Sequence, residues 1–174
     1  MHKSFEITSV LIASLSLFAC GSGSEAENTE ASSTAPAPAV AMSAAALPTI
    51  IVHKSESCGC CSLWVDHMKR AGFTADVRNA DNLDAIKTSV GIPVGMGSCH
   101  TAQVGRYFVE GHVPPEDVKR LLAENPDAKG LTVPRMPMGA PGMEVPSGEV
   151  EPYEVLLVAN DGTTSVYARH GGGK

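Results

Sequence analysis

Cys58, Cys60 and Cys61 fall within four consecutive positions, and that spacing admits two chemistries. Cys58 and Cys61 make C-x-x-C, the spacing of a redox-active dithiol. Cys60 sets a third sulfur inside the pair. A two-electron dithiol switch has no use for it, whereas a multi-sulfur site for a soft metal does. Burial as an inert apolar side chain accounts for any single cysteine, but poorly for three at one junction. An apolar run, Ile50-Ile51-Val52, precedes them, and a helix-patterned run from Leu63 to Ala71 follows and stops at Gly72. A strand that turns into a helix through cysteines leaves the sulfurs at the helix N-terminus. Unpaired N–H groups and the positive end of the helix dipole lie there and favour thiolate over thiol. Thiolate is the form that attacks disulfides and binds soft metals.

A fourth sulfur stands far along the chain beside an imidazole, in Ser98-Cys99-His100-Thr101. Later still, Met136, Met138 and Met143 lie within eight residues of one another in a Pro- and Gly-rich stretch. Thioethers bind Cu(I) and are poor ligands for Zn, Mg or Ca; methionine also fills apolar gaps without any ligand role. With four cysteines in the same chain, copper is the better match. His67 falls off the apolar stripe of its helix and reads as a solvated surface histidine rather than a ligand.

The elements that must position these residues follow from periodicity. Thr49 to His53 reads as a buried first strand. Cys61, Trp64, Val65 and Met68 recur at three- and four-residue steps, so they share the inward stripe of the first helix. Cys61 is then the most buried of its three sulfurs and Cys58 the most exposed. Residues 73–77 read as a second strand. Asp81 or Asn82 caps a helix over Leu83 to Val90 that Gly91 and Pro93 stop. Cys99 to Val104 and Tyr107 to Glu110 form a hairpin about Gly105-Arg106. A third helix runs from Glu116 to Glu124 behind Pro114-Pro115. Residues 125–152 form a loop too long to be idle in a compact domain, and Tyr153 to Val158 with Thr164 to Ala168 make a final hairpin. The resulting order, β-α-β-α-β-β-α with a cysteine motif after the first strand, is the thioredoxin-like arrangement of an α/β protein, extended by the Met/Pro/Gly loop and the C-terminal β-hairpin. Thioredoxins carry a cis-proline just before the third strand, opposite the C-x-x-C. Here Ser98-Cys99-His100-Thr101 occupies that place, and the exchange of a substrate-docking proline for two soft or borderline ligands favours metal.

The N-terminus points to export. Lys3 opens a short positive region, and Val10 to Ala19 is an apolar core too short to span a bilayer. Leu17-Phe18-Ala19-Cys20 matches a lipoprotein signal, so residues 1–19 read as a leader and Cys20 as the lipidated first residue, on the periplasmic side of a bacterial membrane. Gly21 in place of Asp points to the outer membrane. Residues 20–47, rich in Ala, Ser, Pro and Glu, read as a disordered tether. Residues 48–170 read as one domain, with 171–174 as a tail. The net charge is −6, and no basic patch interleaved with aromatics is present, so nucleic acid is not an expected partner.

Several segments together resemble the CopG-like family of periplasmic copper-resistance proteins, also known as predicted metal-binding proteins of unknown function. They are Cys58-Gly59-Cys60-Cys61 with Trp64-Val65, Ser98-Cys99-His100-Thr101, Glu110-Gly111-His112-Val113-Pro114, and Gly130-Leu131 through Met136-Pro137 to Pro141-Gly142-Met143-Glu144. Ser62 stands where a small residue such as Gly is expected, and Met138 is particular to this chain. The resemblance implies a thioredoxin-like fold, an envelope location, copper resistance, and a cysteine-bridged Cu(I) site around Cys58, Cys60, Cys61 and Cys99. That site would hold several ions, with His100, His112, Met136 and Met143 at family motif positions. It also implies copper ions as cargo, and other envelope copper-handling proteins as partners. Thiol-linked redox chemistry on the metal is an extension of the same reading. Two alternatives stay open. One is a thiol–disulfide oxidoreductase with Cys58 as nucleophile and Cys61 as resolving thiol. The other is a structural zinc site of Cys58, Cys60 or Cys61, Cys99 and His100.

Overall fold

The computed structural model describes residues 46–172. The leader 1–19, Cys20, the tether as far as residue 45 and the last two residues lie outside them. Ten elements follow in order: β1 (Ile50–Lys54), α1 (Gly59–Arg70), β2 (Ala75–Asn79), α2 (Leu83–Val90), β3 (His100–Val104), β4 (Tyr107–Glu110), α3 (Pro115–Glu124), β5 (Gly130–Thr132), β6 (Tyr153–Val158) and β7 (Thr164–His170). They make an α/β structure with one seven-stranded mixed sheet, in the order β2-β1-β3-β4-β5-β6-β7. β1 pairs parallel with β2 and antiparallel with β3, and β3 pairs antiparallel with β4. β4 pairs parallel with β5, and β5, β6 and β7 continue antiparallel.

The sheet is buried on both faces at its centre, where all four residues of β4 are buried. One face packs against α1 and α3. Trp64, Val65 and Met68 of α1 and Val118 and Leu121 of α3 join Ile50, Val52, Ala102, Val104 and Val109 in a single apolar cluster. The Trp64 indole N–H donates to the Val113 carbonyl at 2.9 Å, so the polar edge of that ring is satisfied within the core. The other face is covered by α2. None of its residues is fully buried, and Lys87 reaches from it to Thr101 and Glu110 on the sheet.

Beyond one-residue shifts at element ends, such as β3 starting at His100 rather than Cys99, the structure departs from the periodicity reading in three places. β2 begins at Ala75, two residues later than the pattern gives, because Phe73 is buried in the core as part of the turn that closes α1. Its amide donates to the Met68 carbonyl. Residues 125–152 are not all loop: Gly130–Thr132 is a strand inserted between β4 and β6. Three residues give no period to read. The register instead depends on a close backbone approach, since a β-carbon at Gly130 would sit 2.1 Å from the Phe108 carbonyl oxygen. The last strand runs to His170 rather than ending at Ala168. His170 stacks on Tyr153 and pairs with Asp117, which extends the pairing past the apolar run. Among the described residues no helix is long and apolar enough to cross a membrane.

Candidate metal centre

The cysteines sit where β1 hands over to α1. Cys58 is the N-cap residue of α1, without a side-chain cap, and no acidic residue occupies the first turn. The open N–H groups and the dipole end are therefore left to the sulfurs. Cys61 lies inside the first turn, fully buried, while Cys58 and Cys60 are half-buried. Cys61 is the most buried of the three, as its place on the inward stripe predicts; Cys58 and Cys60 are not distinguished. Cys99 precedes β3, whose first residue, His100, pairs with Lys54 at the end of β1. That register carries Cys99 across to the helix start.

The four sulfurs of Cys58, Cys60, Cys61 and Cys99 all lie within 4.8 Å of one another. Cys58 and Cys61 are joined by a disulfide, and Cys60 and Cys99 are free thiols. Each free thiol flanks one half of the bridge: Cys60 Sγ is 3.5 Å from Cys58 Sγ, and Cys99 Sγ is 3.5 Å from Cys61 Sγ. Cys99 also belongs to a second group, since its sulfur and ring nitrogens of His100 and His112 again lie within 4.8 Å of one another. The shortest of these contacts is 3.1 Å, from Cys99 Sγ to His112 Nε2. Cys99 is thus shared between a sulfur-only group and a sulfur–imidazole group.

The imidazoles are set up as lone-pair donors. His112 Nδ1 lies 2.8 Å from the Pro141 carbonyl. A carbonyl only accepts, so Nδ1 carries the proton and Nε2 presents its lone pair toward Cys99, the arrangement in which an outer partner fixes a metal-ligating histidine. Burial lowers the His112 pKa, against the pull of the Pro141 carbonyl and Glu144. Burial also holds His100 well below the ordinary imidazole range, with His112, Lys87 and Lys54 adding to the effect. Both rings are therefore neutral at physiological pH. His100 is fully buried between Trp64, at a ring distance of 4.4 Å, and His112 at 5.1 Å, and its Nε2 has no hydrogen-bond partner among the described residues. Burial pushes the Cys99 thiol up to about 11, helped by repulsion from Cys60 and opposed by the Ser98 hydroxyl. A metal ion would displace that proton, as thiolate ligation requires. A buried, unpartnered imidazole nitrogen beside clustered sulfurs fits a soft or borderline metal ion.

The Met loop closes over this site by its backbone. A β-carbon at Gly142 would lie 2.7 Å from both the Cys60 carbonyl oxygen and the Trp64 amide nitrogen, and its φ of +86° is open to glycine at little cost. Its amide donates to both Glu144 carboxylate oxygens at 3.0 Å. Glu144 also pairs with His67 on α1. Desolvation works against the Glu144 charge, but the Gly142 amide and His67 hold its pKa below the ordinary value. Among the described residues His67 thus joins no metal-ligand group but ties the loop to the helix, a role that its position off the apolar stripe does not reveal. Met143 is half-buried in the turn that follows Ala140. Met136 is 49% exposed and lines a cleft with Arg135, Glu151, Tyr153 and Glu154. The charged Lys87–Glu110 pair beneath Cys99 and His100 also escaped the sequence reading. Its one signal is a glutamate ending an otherwise apolar strand, directly before Gly111-His112.

Residues 96–143 match the family model described as "Protein of unknown function, DUF411". No curated protein matches the chain. Two solved structures do. "Copper resistance protein copG- Form 1" is 39% identical, with 72% of this chain and 99% of that one covered and a TM-score of 0.68. "Copper resistance protein copG- Form 2" is also 39% identical, with 71% and 98% covered and the same TM-score of 0.68. An identity of 39% over nearly all of that chain carries family membership as well as fold, and the chain belongs to the CopG-like family of copper resistance proteins.

Proposed function

We propose that this protein binds Cu(I) at the cell envelope and contributes to copper resistance. Cys58, Cys60, Cys61 and Cys99 would hold the metal, with His100 and His112 on the buried flank and the Met loop as cover. The observation that carries the reading is the mutual approach of four sulfurs within 4.8 Å at an uncapped helix N-terminus, next to two neutral, buried imidazoles. Thiolate and thioether donors match Cu(I). The Cys58–Cys61 disulfide makes two of the four sulfurs conditional ligands: two electrons must reduce the bridge before they can bind metal. The core order β2-β1-β3-β4, with α1 and α3 on one face and α2 on the other, supports a thioredoxin-like assignment. The signal Leu17-Phe18-Ala19-Cys20 supports a lipoprotein facing the periplasm; Cys20→Ala should release the protein from membrane fractions, and unchanged fractionation and lipid labelling would sink that part.

One observation favours a second reading. A Cys58–Cys61 disulfide at a helix start is the resting form of a thiol–disulfide oxidoreductase. Metal analysis of protein purified without oxygen after growth in copper, with thiol titration alongside, separates the readings. Several copper ions per chain with protected thiols supports copper binding. Metal-free protein with one reducible disulfide supports the oxidoreductase, and a single zinc ion would overturn both.

A further inference from the structure

We infer that Glu110 and Lys87 form a buried ion pair whose task is to position the Cys99–His100 side of the site. The inference rests on the copper reading for its function but not for its geometry. Glu110 ends β4 with no solvent exposure. Three donors converge on its carboxylate: the Lys87 ammonium, the Ser98 amide and the Thr101 hydroxyl, the last at 2.7 Å. Lys87 also donates to the Thr101 hydroxyl at 3.0 Å, which closes the network. Ser98 and Thr101 are the residues on either side of Cys99-His100. One carboxylate therefore holds both ends of the dipeptide that carries the shared sulfur and the unpartnered imidazole.

The surroundings leave this dipeptide little other freedom. The Ser98 hydroxyl donates to the Arg135 carbonyl, and the Gly111 amide donates to the His100 carbonyl at 3.1 Å. A β-carbon at Gly111 would strike Ser98 at 2.6 Å. Lys87 is the means by which α2 reaches the site, since no residue of that helix is fully buried. A buried ion pair is a poor choice for stability alone, because an apolar pair of similar volume does as well or better. A carboxylate with several acceptor sites can instead fix an amide, a hydroxyl and an ammonium at defined angles. Outer partners of metal ligands act in this way, and losing one typically costs 10–100-fold in metal affinity.

The test uses reduced full-length protein and competition against a Cu(I) chelator. Glu110→Gln and Lys87→Met are each measured with Cys99 present and with Cys99→Ser, while Lys87→Arg serves as the conservative control. Positioning predicts that Glu110→Gln weakens Cu(I) binding about 10–100-fold when Cys99 is present and by much less once Cys99 is serine and only His100 is left to misplace. Lys87→Arg should retain most of the affinity. An equal loss in both backgrounds, or unchanged affinity with only a lower melting temperature, means the pair merely supports the fold and overturns the inference. Alkylation of the metal-free thiols gives a readout independent of copper. Cys99 should become severalfold more reactive relative to Cys60 in Glu110→Gln, and an unchanged ratio overturns the inference. Should Glu110→Gln fail to fold, Lys87→Met carries both measurements. A wild-type protein that binds no Cu(I) overturns the copper reading instead, and the alkylation ratio still decides whether the pair positions Cys99.

Discussion

The two walls of the site are built in opposite ways. The α1 wall is local: Cys58, Cys60 and Cys61 come from one turn of chain, half of it open to solvent, with no side chain capping the helix. The sheet wall is assembled from afar. Cys99 comes from the lead into β3, His112 from the segment after β4, and the carbonyl that orients His112 from Pro141. Each of these is buried or hydrogen-bonded, and the sheet register sets them. A local wall presents reactive sulfur and can change its bonding, as the Cys58–Cys61 disulfide illustrates. A wall of fixed register cannot rearrange so freely and serves as the template.

Removing sulfurs one at a time should expose that difference most strongly. Cys99 is the sulfur common to both donor groups, so Cys99→Ser should weaken Cu(I) retention by more than the roughly 10–100-fold expected for an outer-shell loss. Cys60→Ser should cripple copper binding about as badly as Cys58→Ser. Chelator competition checks both. Intact copper retention in Cys60→Ser, with thiol–disulfide activity lost only in Cys58→Ser, would transfer the local wall from metal binding to disulfide chemistry.

The contact between the walls comes next in size. Gly142→Ala sets a methyl group against the Cys60 carbonyl and the Trp64 amide at positive φ. It should destabilise the metal-free protein by on the order of 1–3 kcal/mol. Denaturant melts would show this, and a change under about 0.5 kcal/mol would mean that the loop lifts off easily.

The sheet wall should also impose a pH signature. Burial lowers the pKa of both His100 and His112 from 6.5. The unfolded chain therefore takes up protons that the folded chain refuses, so stability present above pH 6.5 is lost as pH falls below it. At the other end, the Cys99 pKa is raised from 9.0 to about 11 by burial, so the disulfide-bonded protein should lose stability as pH rises through that window. Melting temperatures of the disulfide-bonded, metal-free protein across pH would reveal both limbs, and His100→Asn should flatten the acid one. An unchanged acid limb in that variant would assign it to other groups.

The smallest effects should come from the methionines. Leucine keeps most of the volume of methionine and usually costs less than about 1.5 kcal/mol in a core. Met143→Leu should speed Cu(I) loss more than Met136→Leu, because Met143 adjoins the Gly142 contact while Met136 faces the cleft beside β6. Equal copper affinity in both variants, with a lowered melting temperature for Met143→Leu, would leave these side chains a packing role only.

Legibility followed the same division. The α1 wall could be read directly, because strand, cysteines and helix adjoin in sequence and their periods are plain. The core order through α3 was legible for the same reason. Cys99 and His100 were found by residue type, but what holds them was not. Glu110 appears only as one charge at the end of an apolar strand, and its partners Lys87, Ser98 and Thr101 are gathered by tertiary structure. β5 escaped because three residues show no period and its place depends on a bare backbone contact at Gly130. The His67–Glu144 pair spans two elements that no local pattern links.

The backbone contact at Gly142 also bears on how the chain length can vary. From Pro137 to Met143 the loop is held by turns and by its seat on α1, so an inserted residue there would shift Pro141 and release His112. Just beyond, the Val145–Gly148 turn is largely exposed, and a β-carbon at Gly148 would meet nothing within 4 Å. Insertions are tolerated at such exposed tips. The Ser147-Gly148 turn is therefore where a reporter peptide or an affinity tag can be spliced into the loop while the seat over Cys60 stays in register.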